Sequence, residues 1–310
     1  MTPVATLKIV FAMVLWALCF PVIVAGLEYS PHLTFAAMRA ALAGIILTLL
    51  ALVLGRPFPR GWRVWMTLSG VGLGATSLGF LGMFHAAEFV SPGLATVIAN
   101  TQPLLAAVLA ALWLGEKLSI RGGSGLFAGF AGIVLIALPD FLAERNESYA
   151  IGVLYIILAA AGVTFSNVMI KSIAGKVDSL SAMGLQMLLG SVPLAIAALV
   201  TEEPTTINWT FTFIASLLAL ALAGSALVYW LWFTALETVP LNRANAFSFL
   251  IPVFGLTLGF VIYGERLSLL QIIGIVMIFL GIALVHRRKA MLGNEVDSER
   301  PASQSGGGEV

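Results

Sequence analysis

Two prolines, Pro103 and Pro252, stand near the centres of long apolar runs, and each follows a set of polar side chains. Asn100, Thr101 and Gln102 precede the first, and Asn242, Asn245 and Ser248 precede the second. Proline removes one helical N–H and clashes with the carbonyl four residues back, here those of Ala99 and Ser248. Within a bilayer, carbonyls freed in this way must be met by protein or by a water-lined cavity. Paired breaks with polar side chains beside them therefore point to a solute site built from Asn100, Gln102, Asn245 and Ser248. The alternative is two kinked, packed helices whose amides act as interhelical glue.

Arg39 is the one charged residue plainly inside an apolar run. On insertion scales an arginine near the bilayer centre costs about 3 kcal/mol, so a partner or a function is expected. It can receive a carboxylate or seal one end of a pathway; equally, it can cap helix-end carbonyls or form a structural ion pair. His85 and Glu88 share a helix face at i, i+3. A histidine beside a carboxylate can respond to protons, although an interfacial polar pair is the commoner reading.

Aromatic residues are numerous within the runs, and stacking on their faces suits an aromatic or cationic solute. Trp16, Phe80, Phe165 and Tyr229 are the expected cavity residues, because the two parts of the chain place an aromatic at matching positions. Most other aromatics are expected to face lipid or core. No H-E-x-x-H, G-x-S-x-G, Walker A or paired-cysteine motif occurs, so neither a cofactor nor a metal is expected. The stretch 123–128 imitates a dinucleotide fingerprint, but it opens an apolar helix with no strand before it.

The elements that must position these residues follow from composition. Of 310 residues, 60% are hydrophobic and only 10% charged, where a soluble protein carries about 25% charged residues. Mean hydropathy is +1.02 and net charge +1. Too little polar surface exists to coat a water-soluble particle. A disordered chain, a coiled coil and a nucleic-acid binder are excluded, and the bilayer becomes the expected partner.

About ten runs reach the roughly 20 residues that a helix needs to cross a bilayer. They are 5–25, 33–54, 64–87, 92–114, 122–138, 150–170, 179–200, 211–236, 241–263 and 268–286. All are apolar throughout, unlike the alternating strands of a barrel. The first is too long for a signal peptide and is followed by further spans. With the N-terminus inside, Lys8, Arg56, Arg60, Arg63, Lys117, Arg121, Lys171, Lys176, Arg243, Arg287, Arg288 and Lys289 are cytoplasmic, against only Arg145 and Arg266 outside. The positive-inside rule therefore predicts that both termini are cytoplasmic. Residues 289–310 read as a disordered cytoplasmic tail.

The chain also repeats itself at an offset of about 149 residues. Glu88 meets Glu237, Pro103 meets Pro252, and Gly115-Glu116-Lys117-Leu118-Ser119 meets Gly264-Glu265-Arg266-Leu267-Ser268. Further upstream Phe80 faces Tyr229 and Trp16 faces Phe165. Two parts, 1–141 and 150–288, then hold five spans each. Five is odd, so the parts enter the membrane from opposite sides as inverted-topology repeats, a plan typical of secondary transporters. Glycine pairs at Gly70/Gly74, Gly125/Gly129 and Gly255/Gly259, with Ala106 and Ala110 matching the last pair, predict close helix packing.

Two five-helix parts, each ending in a G-E-x-L-S turn and a glycine-spaced last helix, resemble the drug/metabolite transporter superfamily and, within it, the EamA-domain exporters. Trp16 and Arg39 fit that pattern, and the resemblance covers about residues 5–288. The abundance of aromatics is similar to the branch that exports aromatic amino acids and some cationic drugs (YddG-type). The resemblance implies an all-α inner-membrane carrier of ten transmembrane helices, exporting small metabolites by alternating access. Pro103, Pro252, His85 and Glu88 would gate the pathway. With no acidic residue identified at mid-span, facilitated export down a gradient, or weak coupling through His85, is expected. A channel for small polar solutes is the alternative; an intramembrane enzyme would need a dyad at depth, and only Arg39 and His85 offer one. The sequence leaves open monomer or homodimer.

Overall fold

A computed structural model of the chain describes residues 1–86, 102–143, 149–203, 206–263 and 267–286. Every regular element among them is helical. In chain order these are α1 (Pro3–Leu27), α2 (His32–Val53), α3 (Trp62–Val71), a π-helical segment (Gly72–Leu78), α4 (Gly79–Ala86), α5 (Gln102–Trp113) and α6 (Ile120–Ala143). Then follow α7 (Tyr149–Ile173), α8 (Ser179–Thr201), α9 (Phe211–Ala221), a second π-helical segment (Leu222–Leu227), α10 (Val228–Leu236), α11 (Leu241–Ala246), a 3₁₀ turn (Phe247–Phe249), α12 (Leu250–Tyr263) and α13 (Leu269–His286).

Seven of the described helical stretches are long and apolar enough to cross a membrane: Pro3–Leu27, His32–Val53, Trp62–Gly82, Ile151–Ile173, Ser179–Thr201, Phe211–Leu236 and Leu269–His286. The other three expected spans are not among these seven. The fourth is described only from Gln102, the apolar part of the fifth runs Ile120–Ile136, and the ninth is broken in two. The outer surface carries large apolar side chains such as Val53, Trp62, Phe127, Val200 and Phe211. A soluble protein would not tolerate apolar exposure on this scale.

Long range, α2 packs along α8 and α6 along α13, so each helix of these pairs comes from a different one of the two matched parts of the chain. Both contacts run at glycines, Gly44 and Gly184 in the first and Gly125, Gly132, Gly274 and Gly281 in the second, and α8 meets the first π segment in the same way. A Cβ on Gly190 would lie 2.4 Å from the Gly72 carbonyl oxygen, and one on Gly72 would lie 2.4 Å from that of Gln186. Gly132 and Gly274 stand in the same mutual relation, at 2.6 and 2.5 Å, as do Gly125 and Gly281. Helices without side chains at these points approach to backbone contact, the packing that replaces the hydrophobic effect inside a bilayer. Gly70, Gly74, Gly125 and Gly129 all meet neighbours, as the spacing predicts, and Ala106 and Ala110 are fully buried. Gly255 departs from that expectation, since a Cβ there would meet nothing within 4 Å.

The two π segments interrupt the third and eighth expected spans at matching positions. Thr76 in the first and Ser225 in the second are 149 residues apart (225 − 76), the offset of the sequence repeat. Both hydroxyls are buried, and each is engaged by the second helix of the other part. Thr76 donates to Gln186 Oε1 on α8 at 3.0 Å, while Ser225 accepts from Arg39 on α2 at 2.8 Å.

Candidate functional site

Arg39 is 4% exposed, one helical turn and more inside α2. Its Nε donates to Ser225 Oγ at 2.8 Å and its Nη2 to the Gly224 carbonyl at 2.9 Å. Nη2 also approaches Cys19 Sγ at 3.7 Å, and the guanidinium lies 4.7 Å from the centre of the Phe80 ring. Gly224 permits this approach, since a Cβ there would sit 2.5 Å from Cys19 Sγ. π segments occur disproportionately at functional sites, and here one presents a carbonyl and a hydroxyl to a buried cation. Among the described residues no carboxylate pairs with Arg39, and the one ion pair present joins His32 and Glu202 at 3.3 Å. Among the described residues the charge of Arg39 is thus met by hydrogen bonds and a ring face alone.

Beyond Phe80, two groups of aromatic rings pack in the same part of the fold. Trp16, near the middle of α1, meets Tyr229 edge-on at 6.0 Å and Trp232 at 5.7 Å. Trp232 Nε1 donates to Asn167 Oδ1 on α7 at 3.0 Å, which fixes the indole. Phe80 continues into Phe84 and Phe35 at centroid distances of 6.2 and 6.3 Å. Of the four aromatics singled out by the repeat, the structure thus joins Trp16 to Tyr229 and Phe80 to Arg39. Phe165 lies elsewhere, 40% exposed and stacked on Trp113 at 5.5 Å.

The ninth span breaks ahead of Pro252. The helix stops at Ala246, passes through the 3₁₀ turn and restarts at Leu250, leaving Pro252 in the first turn of α12, where a missing N–H is harmless. Pro103 is buried in the described part of α5, next to the half-buried Gln102. Ser248 Oγ donates to the Asn245 carbonyl at 2.7 Å. The Asn245 side chain is 1% exposed, yet among the described residues neither its Nδ2 nor its Oδ1 has a partner, and nor does Asn242 Oδ1. Unmade hydrogen bonds of buried amides cost about 1–3 kcal/mol each, and a bound solute or water would recover that. Asn100, Glu88 and the His85 side chain lie outside the described residues.

Carboxylates close helix ends in a way the sequence did not announce. Glu116, in the G-E-K-L-S turn, accepts from the backbone N–H of Leu241 at 2.7 Å and of Asn242 at 3.1 Å, the start of α11. Glu202, just after α8, accepts from the backbone N–H of Leu33 at 2.8 Å and of Thr34 at 2.7 Å, the start of α2, and from Thr34 Oγ1 at 2.8 Å. Neither recipient helix has a local side-chain cap, since Pro31 and Pro240 occupy the cap positions. By contrast α8 is capped by its own Asp178, which accepts from the N–H of Leu180 and Ser181. Glu116 also borders a cavity of about 460 Å³ lined by Lys171, Lys176, Glu237, Thr238 and Pro240. Lys171 Nζ donates there to the Leu236 carbonyl and, at 2.9 Å, to that of Val239. Glu237, matched to Glu88 in the repeat, is exposed at the end of α10, and no described helix start is capped by it.

The profile of the EamA-like transporter family matches the chain twice, over residues 4–138 and 150–287. An uncharacterized transporter, YvbV, of Bacillus subtilis (strain 168) is 28% identical over 305 residues, covering 96% of this chain and 97% of that protein. Protein PecM of Dickeya dadantii is 31% identical over 281 residues, covering 89% and 90%. A probable amino-acid metabolite efflux pump of Escherichia coli (strain K12) is 28% identical over 278 residues, covering 87% and 90%. A crystal structure of a protein only 20% identical superposes with a TM-score of 0.77 over 91% of this chain and 97% of that one, which extends the likeness to the fold.

Proposed function

The chain belongs to the EamA-like transporter family, and from that premise we propose that it exports small metabolites, amino acids and aromatic ones first among them, or drug-like compounds. Membership makes it a multi-pass membrane transporter of a small molecule and not an enzyme. The finer reading rests on one observation, the buried Arg39 on the face of Phe80 with no acidic partner among the described residues; the Trp16–Tyr229 pair supports it. A zwitterion with a ring matches both features, since its carboxylate meets the uncompensated cation and its ring the aromatic walls. The unpartnered amide of Asn245, with Ser248 and Gln102 at the proline breaks, supplies hydrogen bonds to the same cargo. The likeness to probable amino-acid metabolite efflux pumps supports amino acids as the class without singling out the aromatic branch.

In this reading the two stretches are inverted five-helix repeats that rock about the central cluster. Both termini face the cytoplasm of a bacterium, with the chain in the inner membrane, as the lysine and arginine bias suggests. Saturable transport and counterflow in proteoliposomes separate this carrier from a channel, which has neither. Tyr229→Ala and Gln102→Ala are each expected to lower export of an aromatic amino acid at least several-fold at unchanged protein level. Unchanged export in both variants overturns the site. Uphill transport on a proton gradient that survives His85→Ala would overturn facilitated export.

A further inference from the structure

The cross-chain carboxylates do more than finish helices. The first four N–H groups of a helix lack intrahelical partners and carry partial positive charge, so a carboxylate there is held by hydrogen bonds and by the helix dipole together. A local residue normally supplies it, as Asp178 does for α8. At α2 and α11 the local position is a proline and the carboxylate comes from the other matched stretch. Each contact therefore fastens one stretch to the other.

The two fastenings lie at opposite ends of the molecule. Glu202 follows the last residue of α8, whose 23 residues span about 34 Å. The first residue of α8, Ser179, accepts from Trp230 Nε1, and Lys8 lies over the Trp230 ring. Lys176, just before α8, lines the same cavity as Glu116. Glu116 thus stands at the Lys8 end and Glu202 at the far end. Both contacts are closed at once, while Cys19 beside Arg39 is 6% exposed between them.

We propose that Glu116 and Glu202 are opposed gating residues. Each locks one end of the transporter by capping a helix of the opposite stretch, and each end opens when its own carboxylate lets go while the other holds. This rests on the alternating-access reading above. It assigns the occluded state to the doubly capped arrangement. The parting helices are α2 at one end and α11, which leads into the broken ninth span, at the other.

The single cysteine of the chain, Cys19, reports opening directly. In membrane vesicles of either orientation, a membrane-impermeant methanethiosulfonate is added to one side of the full-length protein. Glu116→Gln is expected to speed labelling roughly tenfold from the Lys8 side only, and Glu202→Gln by a similar factor from the opposite side only, the scale set by losing charge-assisted hydrogen bonds. Unchanged labelling, or labelling raised from the same side by both variants, overturns the proposal. To separate a gate from a mere cap, Pro240→Asp added to Glu116→Gln gives α11 a local cap without the tether. The double variant is expected to melt like the wild type and still label fast. Labelling that returns to the wild-type rate overturns the gating role. Counterflow of a labelled amino acid in the same vesicles tests transport separately, so its absence in the wild type sinks the transport reading and leaves the labelling pattern to judge the gates.

Discussion

Gly190→Ala should destabilise the protein by about 3 kcal/mol, the upper range for forcing one extra methyl into a packed contact. The new Cβ would stand 2.4 Å from the Gly72 carbonyl and 2.5 Å from Thr76 Cβ. The neighbour is backbone on a helix that meets the same glycine from its own side, so no rotamer change relieves the clash. α8 and the first π segment must separate along their length, which also parts Ser77 Oγ from the Gly190 carbonyl, now 2.7 Å away. Gly255→Ala is the matched control: with nothing within 4 Å of its Cβ, it should stay within about 0.5 kcal/mol of wild type. Thermal melting in detergent, followed by size exclusion, reads both. Equal melting temperatures for the two variants would mean that the α8 crossing is not tight.

Arg39→Met is expected to have the second largest effect. It leaves Ser225 Oγ and the Gly224 carbonyl facing an apolar side chain and removes the cation from the Phe80 ring. A hydrogen bond to a charged group is worth about 1.5–3 kcal/mol, and membrane hydrogen bonds fall near or below the bottom of that range. Relief from burying the charge offsets part of the loss, so a net destabilisation of about 2 kcal/mol is expected. Transport should fall further, by at least tenfold, because the cavity loses its only described cation near the aromatic cluster. Arg39→Lys should rescue little, since an ammonium cannot reach Ser225 and Gly224 as a planar fork while stacking on Phe80. Melting and counterflow measured together separate the two roles. Full transport in a destabilised Arg39→Met protein would reduce Arg39 to a pin between α2 and the second π segment.

The features legible in the sequence are those encoded locally. Proline chemistry marks the break before Pro252, and the cost of an intramembrane charge singles out Arg39 whatever it touches. The glycine spacing at 125 and 129 reports a packed face, because small residues recur one turn apart. The features that escaped are tertiary. Glu116 is visible as punctuation of the repeat, but its partners lie 125 and 126 residues away. Nothing near Leu241 signals them except a proline that cannot cap. The π segments have no sequence signature beyond runs of small residues such as Gly-Ala-Thr-Ser and Ala-Gly-Ser-Ala. Pairing Trp16 with Phe165 follows the repeat register, yet matching positions of a repeat need not touch. Trp16 instead meets Tyr229 and Trp232. Gly255 carries the right spacing and finds no neighbour among the described residues, because spacing selects a face without naming what covers it.

The π segments carry a consequence for the chain's history. In covalent terms a π turn is an α-helix with one residue inserted, and deleting that residue turns everything after it by about 100°. Shortening 222–227 by one residue would swing Tyr229 and Trp232 away from Trp16, and shortening 72–78 would swing Phe80 away from Arg39. Two insertions at equivalent places are simplest to explain as one, made before an ancestral gene doubled. The aim of the aromatic side chains would then be older than the protein's present length.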